Sequence, residues 1–150
     1  MLTDIYKHLF DRAYMSGIER DKTRIKANAE VFTPTYEVEQ TLDEIDQALF
    51  KDPIKTFLDP SCGDGQFLAS VLYRKLQNGI DFETALSNIY GVELQYDNTE
   101  LCRKRLLCGR EDLRHIVERN IVCHEALTYA YEFNGTNKNN DELAFDKLFD

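Results

Sequence analysis

Residues 59–68 read DPSCGDGQFL, from Asp59 to Leu68. A short β-rich run, Lys55-Thr56-Phe57-Leu58, leads into them, and an apolar helical pattern follows at once. Two glycines two apart, Gly63 and Gly65, stand where strand gives way to helix. This layout makes a tight turn whose backbone can approach a ligand closely at the positive end of a helix. A lone Gly-x-Gly is common, so its surroundings decide its meaning. Here one acid, Asp59, opens the turn, and another, Glu93, ends the next predicted strand.

Downstream of the turn, Phe67, Leu68, Val71, Leu72 and Leu76 predict a helix that stops at Asn78-Gly79. Asp81 caps a short helix through Ser87, and Asn88 to Leu94 reads as a buried strand. Asp97-x-x-Glu100 has the form of a capping box for a helix running to Cys108, with Gly109 as its stop. A helical stretch from Glu111 to Glu118 leads to a third strand, Asn120 to Cys123. Then come His124-Glu125-Ala126-Leu127, a tyrosine-rich loop over 128–133, a polar tract over 134–142 and a last strand candidate, Leu143 to Phe149.

Upstream, apolar residues at Leu2, Ile5, Tyr6, Leu9, Phe10, Ala13 and Tyr14 predict an amphipathic helix closed near Gly17. The charged stretch 18–30 is a linker or ragged helix. In the segment Val31 to Tyr36, Pro34 holds Thr33 extended and Thr35 is a good N-cap. The helix that follows carries Val38, Leu42, Ile45 and Leu49 as its apolar stripe and ends at Asp52-Pro53. The chain thus divides into an N-terminal helical region, 1–30, and a main domain, 31–150.

Strands alternating with helices argue for an α/β fold, a parallel sheet with helices on both faces. Its expected strand order is third, second, first, fourth, with ligands gathering at the C-terminal end of the first strand. The fourth strand, 143–149, would then be an exposed edge, which predicts a homodimer or a partner chain there.

One hundred and fifty residues suit a single core that needs no staples. There is neither a membrane-length apolar run nor a signal peptide, and the four cysteines form no Cys-x-x-Cys pair. Single buried thiols in a reducing compartment follow. Cys102, Cys108, His115 and His124 match no common zinc spacing, so no metal site is expected. The net charge of −9 disfavours nucleic-acid binding by this chain alone. Arg103, Lys104, Arg105, Arg110, Arg114 and Arg119 cluster in the sequence, and their simplest reading is two solvated helix faces.

In a parallel sheet the turn after the first strand lies beside the acid that ends the second, and such a carboxylate can accept both hydroxyls of a ribose. An adenosine therefore fits across Glu93, with the rest of the ligand over Gly63 and Gly65. The dinucleotide fingerprint fails, because Leu68 stands where its third glycine belongs, and no Lys-Ser or Lys-Thr follows the turn to make a P-loop. Asp59 and Asp64 flank the turn and would repel a pyrophosphate. The sulfonium and ammonium groups of S-adenosylmethionine suit them.

The sequence at this point resembles the adenine-N6 DNA methyltransferases of restriction–modification systems and phages. DPSCGDGQFL is similar to their cofactor loop, Asp-Pro-x-Cys-Gly-x-Gly-x-Phe-Leu. Phe32-Thr33-Pro34 resembles the Phe-Thr-Pro element that closes over the methionine end. Gly91-Val92-Glu93-Leu94 resembles the second-strand element that holds the ribose, and Glu125-Ala126-Leu127 the Asp-Ala-Leu whose acid lies near the adenine. The resemblance runs from about Val31 to the C-terminus. It implies a cytoplasmic protein with a Rossmann-like class I methyltransferase fold of about four parallel strands behind N-terminal helices. It also implies an S-adenosylmethionine site made of Phe32, Thr33, Pro34, Asp59, Ser61, Cys62, Gly63, Asp64, Gly65, Phe67, Glu93, Leu94, Glu125 and Ala126. Cys62 and Phe67 read as packing residues at the turn and at the helix base.

The resemblance breaks after the fourth strand. There the family carries Asn/Asp-Pro-Pro-Tyr/Phe, which holds the exocyclic amine of a flipped-out adenine and stacks on its ring. No Pro-Pro pair occurs in this sequence, so no catalytic residue is assigned and no methyl transfer is expected from this chain alone. It reads either as a fragment of a longer enzyme or as a short protein that kept only the cofactor half. Three roles follow: an enzyme subunit completed by another chain that brings the DNA contacts, a module that sequesters the cofactor or blocks a methyltransferase, or a protein-interaction remnant.

Overall fold

The computed structural model describes residues 2–11 and 33–135. Helix α1, Leu2–Phe10, buries Leu9 and packs Ile5 and Phe10 against the core. Tyr6 leaves its ring half in solvent, against Phe10 and Tyr73 at centroid distances of 4.8 and 5.4 Å. The expected continuation of α1 through Ala13 and Tyr14 to Gly17 lies outside the described residues, as does the stretch 18–30.

Helix α2 spans Thr35–Asp43 and buries Val38 and Leu42. Thr35 is not its N-cap, contrary to the sequence expectation. Pro34 occupies that position in extended geometry with no side-chain cap, because the Thr35 hydroxyl instead accepts from Gln66 Nε2 at 3.1 Å. The expected stripe through Ile45 and Leu49 also does not stay in one helix. Gln47 Nε2 donates to Leu42 O and Ile45 O at 2.9 and 2.7 Å, which occupies carbonyls at the helix end. A 3-10 turn, Gln47–Phe50, follows, opened by Ala48 N donating to Asp46 Oδ1. It delivers Phe50 into the core, stacked on Phe57 with ring centroids 5.1 Å apart.

Three strands form one parallel sheet in the order β1-β2-β3: β1 is Phe57–Asp59, β2 Ile89–Glu93 and β3 Ile121–Cys123. This is the neighbour order expected for the first three strands. The fourth strand expected at 143–149, and the edge contact predicted there, lie outside the described residues. Between β1 and β2 run α3, Gln66–Gln77, and α4, Phe82–Ser87. Asp81 caps α4 as its sequence implies, accepting from Thr84 N at 3.0 Å. Between β2 and β3 run α5, Tyr96–Leu107, a 3-10 turn, Glu111–Leu113, and α6, Arg114–Asn120.

The start of α5 corrects the capping-box reading. Gln95, not Asp97, holds the N-cap position, and Asp97 accepts from its own neighbour, Asn98 N, at 2.8 Å. Glu93 Oε2 takes Gln95 N at 2.9 Å, so the acid that ends β2 also organises the entry to α5. Glu100 does not reach back to the cap, because it pairs with Arg103 at 2.6 Å.

The sheet register explains where the core lies. Phe57 pairs with Ile89, and Gly91 with Ile121, which puts these four on one face. All six described helices contribute buried side chains to one cluster on that face. The expectation of helices on both faces is therefore not met among the described residues. On the other face, Val92 and Val122 pack with Tyr129, Ala126 and Phe133 of the loop after β3. Phe133 adds a ring contact to Tyr90 at 4.9 Å.

The six clustered basic residues also need correction. Arg103 and Arg105 are buried. Arg103 donates from Nε and Nη2 to Ile121 O at 2.9 and 2.6 Å, satisfying a carbonyl at the start of β3. Arg110 and Arg114 keep the solvated role expected of them, paired with Asp112 and Glu111.

Candidate functional site

The C-terminal ends of three adjacent strands lie along one edge of the sheet. Asp59 ends β1, Glu93 ends β2, and Glu125 follows β3 by two residues. His124 N donates to Glu93 O at 3.0 Å, so the β3 exit stays beside the β2 exit. Cys62 N donates to Val92 O at 3.0 Å, which lays the turn after β1 across the end of β2. Turn and acid are thus side by side, as the sequence reading required.

Within the turn, Gly63 and Gly65 have φ of 55° and 98°, left-handed values that side chains disfavour. Gly65 N closes the turn onto Cys62 O at 2.9 Å, and Gly65 is the N-cap of α3. A Cβ placed on Gly63 would meet nothing within 4 Å, so its backbone faces open space. Under the turn, Cys62 is buried and sits against Gly91 of β2. Phe67 is half-buried at the base of α3 against the core. Both pack at the turn, and both also line the recess beside it.

The turn borders a recess of about 290 Å³. Thr33, Asp59 and the turn and helix-start residues Ser61, Cys62, Gly63, Asp64, Gln66 and Phe67 line it. Pro34 is exposed beside Thr33, and Phe32 lies outside the described residues. Asp59 is the acid of this recess. Its Oδ1 accepts from Ser61 N at 3.0 Å, yet burial pushes its carboxyl pKa above the ordinary value, with the N–H only partly opposing. Such a carboxylate gains from a cation brought to it.

Asp64 behaves differently. It borders the recess, but its carboxylate is buried, with Arg105 Nη1 at 3.7 Å from Oδ1. Its charge is met inside the protein by Arg105, so of the two acids flanking the turn Asp59 is the one left to face a cationic ligand. Glu93 and Glu125 lie along the sheet edge beyond the recess. Glu93 is half-buried and is steadied by Gln95 N and by Asn98 Nδ2 at 3.3 Å. Glu125 is half-buried, with Oε1 accepting from Leu127 N at 3.1 Å. Leu94 is half-exposed, and Ala126 packs beneath the loop on Val92 and Val122.

Two residues to which the sequence reading gave no role at the site hold this arrangement. Gln66, the first residue of α3, is buried, and Nε2 donates to Thr33 O at 2.9 Å as well as to Thr35. Its Oε1 accepts from Arg105 Nη2 at 2.9 Å. Arg105 also donates from Nε to Leu9 O at the end of α1. The only hint in the sequence was a glutamine placed where α3 turns inward. Among the described residues no group of three His, Cys, Asp or Glu could hold a metal ion, and no helix is long and apolar enough to cross a membrane.

Comparison with known proteins gives one finding. The family model described as N-6 DNA Methylase matches residues 4–143. No curated protein and no solved structure matches.

Proposed function

We propose that this chain, which belongs to the N-6 DNA methylase family, binds S-adenosylmethionine along the C-terminal edge of its sheet. The observation that carries the reading is the juxtaposition of Asp59, the open glycine turn and Glu93, held by the bond from Cys62 N to Val92 O. The recess offers two kinds of recognition to the methionine end. Asp59 answers its ammonium group, and the N-terminal turn of α3, where N–H groups lack intrahelical partners, answers its carboxylate. Thr33 and Pro34 border the opening. Glu93 accepts the ribose hydroxyls, and Glu125, with Leu94 and Ala126 nearby, borders the adenine.

Bound there, the cofactor supplies an electrophilic methyl group on a positively charged sulfur. The chain's own part is to orient that group, and the acids of the edge suit its charge. These 150 residues contain no Pro-Pro pair to stack a flipped adenine and accept its amine. On this reading they bind the cofactor and transfer no methyl group by themselves, and DNA methylation requires a further segment or subunit.

Titration calorimetry with S-adenosylmethionine and S-adenosylhomocysteine tests the binding. Saturable one-to-one binding of both is expected, weakened about ten-fold or more by Glu93→Ala, which removes a charge-assisted acceptor. Absence of binding, or an unaffected Glu93→Ala, refutes it. Labelled methyl groups transferred to adenine in DNA by the purified chain would refute the second part.

A further inference from the structure

Gln66 sits where four segments meet. Its amide faces Thr33 and Thr35 on one side and Arg105 on the other, and Arg105 also reaches Asp64 of the turn and Leu9 of α1. The orientation of the amide is decided by chemistry. Guanidinium groups only donate, so the side chain must turn Oε1 toward Arg105. Nε2 is then forced toward the Thr33 carbonyl and the Thr35 hydroxyl, both of which can accept. The result is a directional latch across 33 residues of sequence, from the base of the glycine turn to the segment that walls the recess.

We infer that Gln66 is a positioning residue for the methionine end of the cofactor. It pins Thr33–Thr35 against the turn, with Arg105 setting the direction in which its amide donates. The inference rests on the cofactor reading above and adds a prediction that reading does not make. The latch borders the recess beside Asp59, away from Glu93 and Glu125. It therefore governs ligands that fill the recess and is indifferent to ligands that reach only the adenosine side.

Two probes share the adenosine and the thioether and differ in that end alone: S-adenosylhomocysteine has the amino-acid arm, and 5′-methylthioadenosine lacks it. Gln66→Glu keeps an acceptor for Arg105 but sets an oxygen where Nε2 donated, so acceptor opposes acceptor at Thr33 O. Expected is a loss of S-adenosylhomocysteine affinity of about five-fold, the worth of the bond to Thr33 O, since the Thr35 hydroxyl can turn to donate to the new carboxylate, with methylthioadenosine affinity unchanged. Hydrogen exchange at Glu37 and Val38, whose N–H groups bond to Pro34 O, should quicken. Thr35→Val, at an exposed position that does not threaten the fold, should give a loss of about three-fold, the worth of one such bond, with the same selectivity. Equal weakening of both probes, or unchanged S-adenosylhomocysteine affinity in both variants, overturns the inference while leaving the cofactor reading intact. A wild-type protein that binds neither probe overturns the cofactor reading itself. Unchanged exchange at residues 37 and 38 in Gln66→Glu then removes the latch as well.

Discussion

Gly91→Ala is the sharpest test of how the turn is seated. An added Cβ would lie 2.8 Å from Cys62 Sγ, 2.9 Å from Leu68 Cδ1 and 3.0 Å from Cys62 Cβ. These distances are below or at the limit of real contacts, and the neighbours cannot swing aside, since Cys62 and Leu68 are 4 % and 1 % exposed. Overpacking of this kind costs about 1–3 kcal/mol. Alanine also restricts the unfolded chain, which returns about 0.4–1 kcal/mol. A net loss of about 1–2 kcal/mol is expected, read as a lower urea midpoint at unchanged slope. Because the strain falls on Cys62, whose N–H ties the turn to β2, affinity for S-adenosylhomocysteine should fall too. Cys62→Ala removes the closest of the three contacts. The double variant should therefore be more stable than the sum of the single losses by about 0.5–1 kcal/mol. A Gly91→Ala protein as stable as wild type, or strictly additive losses, would refute this packing.

Asp59→Asn should separate stability from binding. The raised pKa of Asp59, due first to burial, means that folding favours its protonated form. Its stability contribution is therefore full below the unfolded value, near 3.8, and is lost as pH rises through the folded value. At neutral pH the Asn variant should melt higher than wild type while binding S-adenosylmethionine more weakly, and the melting difference should close in acid. Asp81 works with the opposite sign. Its pKa is lowered by the Thr84 side chain and then by the Thr84 N–H. Its contribution is present above the unfolded value and lost as pH falls through the folded one, so Asp81→Ala should lower the melting temperature at neutral pH and lose its effect in acid. Arg105→Met removes the cation beside buried Asp64 and should destabilise by about 3 kcal/mol or more in urea. Restoration of part of that loss by Asp64→Asn is expected, and a loss below about 1 kcal/mol would contradict the pairing.

Sequence reading succeeded where the determining interactions were local. The two glycines demanded a turn, Asp81 demanded a cap, and the alternation of apolar runs demanded parallel strands in the order found. It failed where a side chain reaches a distant backbone. Arg103 and Arg105 read as solvated charges because nothing local reveals that Ile121 O and Leu9 O need donors. Thr35 read as a cap because its use by Gln66 depends on a contact 31 residues away. Asp97 read as a cap because the competing acceptor, Glu93, belongs to the preceding strand. Asp59 and Asp64 are the same residue type on two sides of one turn. Both border the recess, but on either side of the left-handed Gly63 the Asp64 carboxylate is buried beside Arg105 while Asp59 is only partly buried.

That difference also governs what the protein can attract. With Asp64 matched by Arg105, the acids left at the sheet edge are Asp59, Glu93 and Glu125, one for each strand end. Such an edge repels a pyrophosphate and favours a cationic ligand, which accords with the sulfonium cofactor proposed above. The same field opposes a phosphate backbone. Four of the arginines that might offset it are engaged within the protein: Arg103 and Arg105 inward, Arg110 with Asp112, Arg114 with Glu111 and Glu118. Affinity for DNA scales with the cations free to neutralise phosphates. The charge along this edge therefore suits a small cation better than a polyanion, in keeping with the proposed cofactor reading.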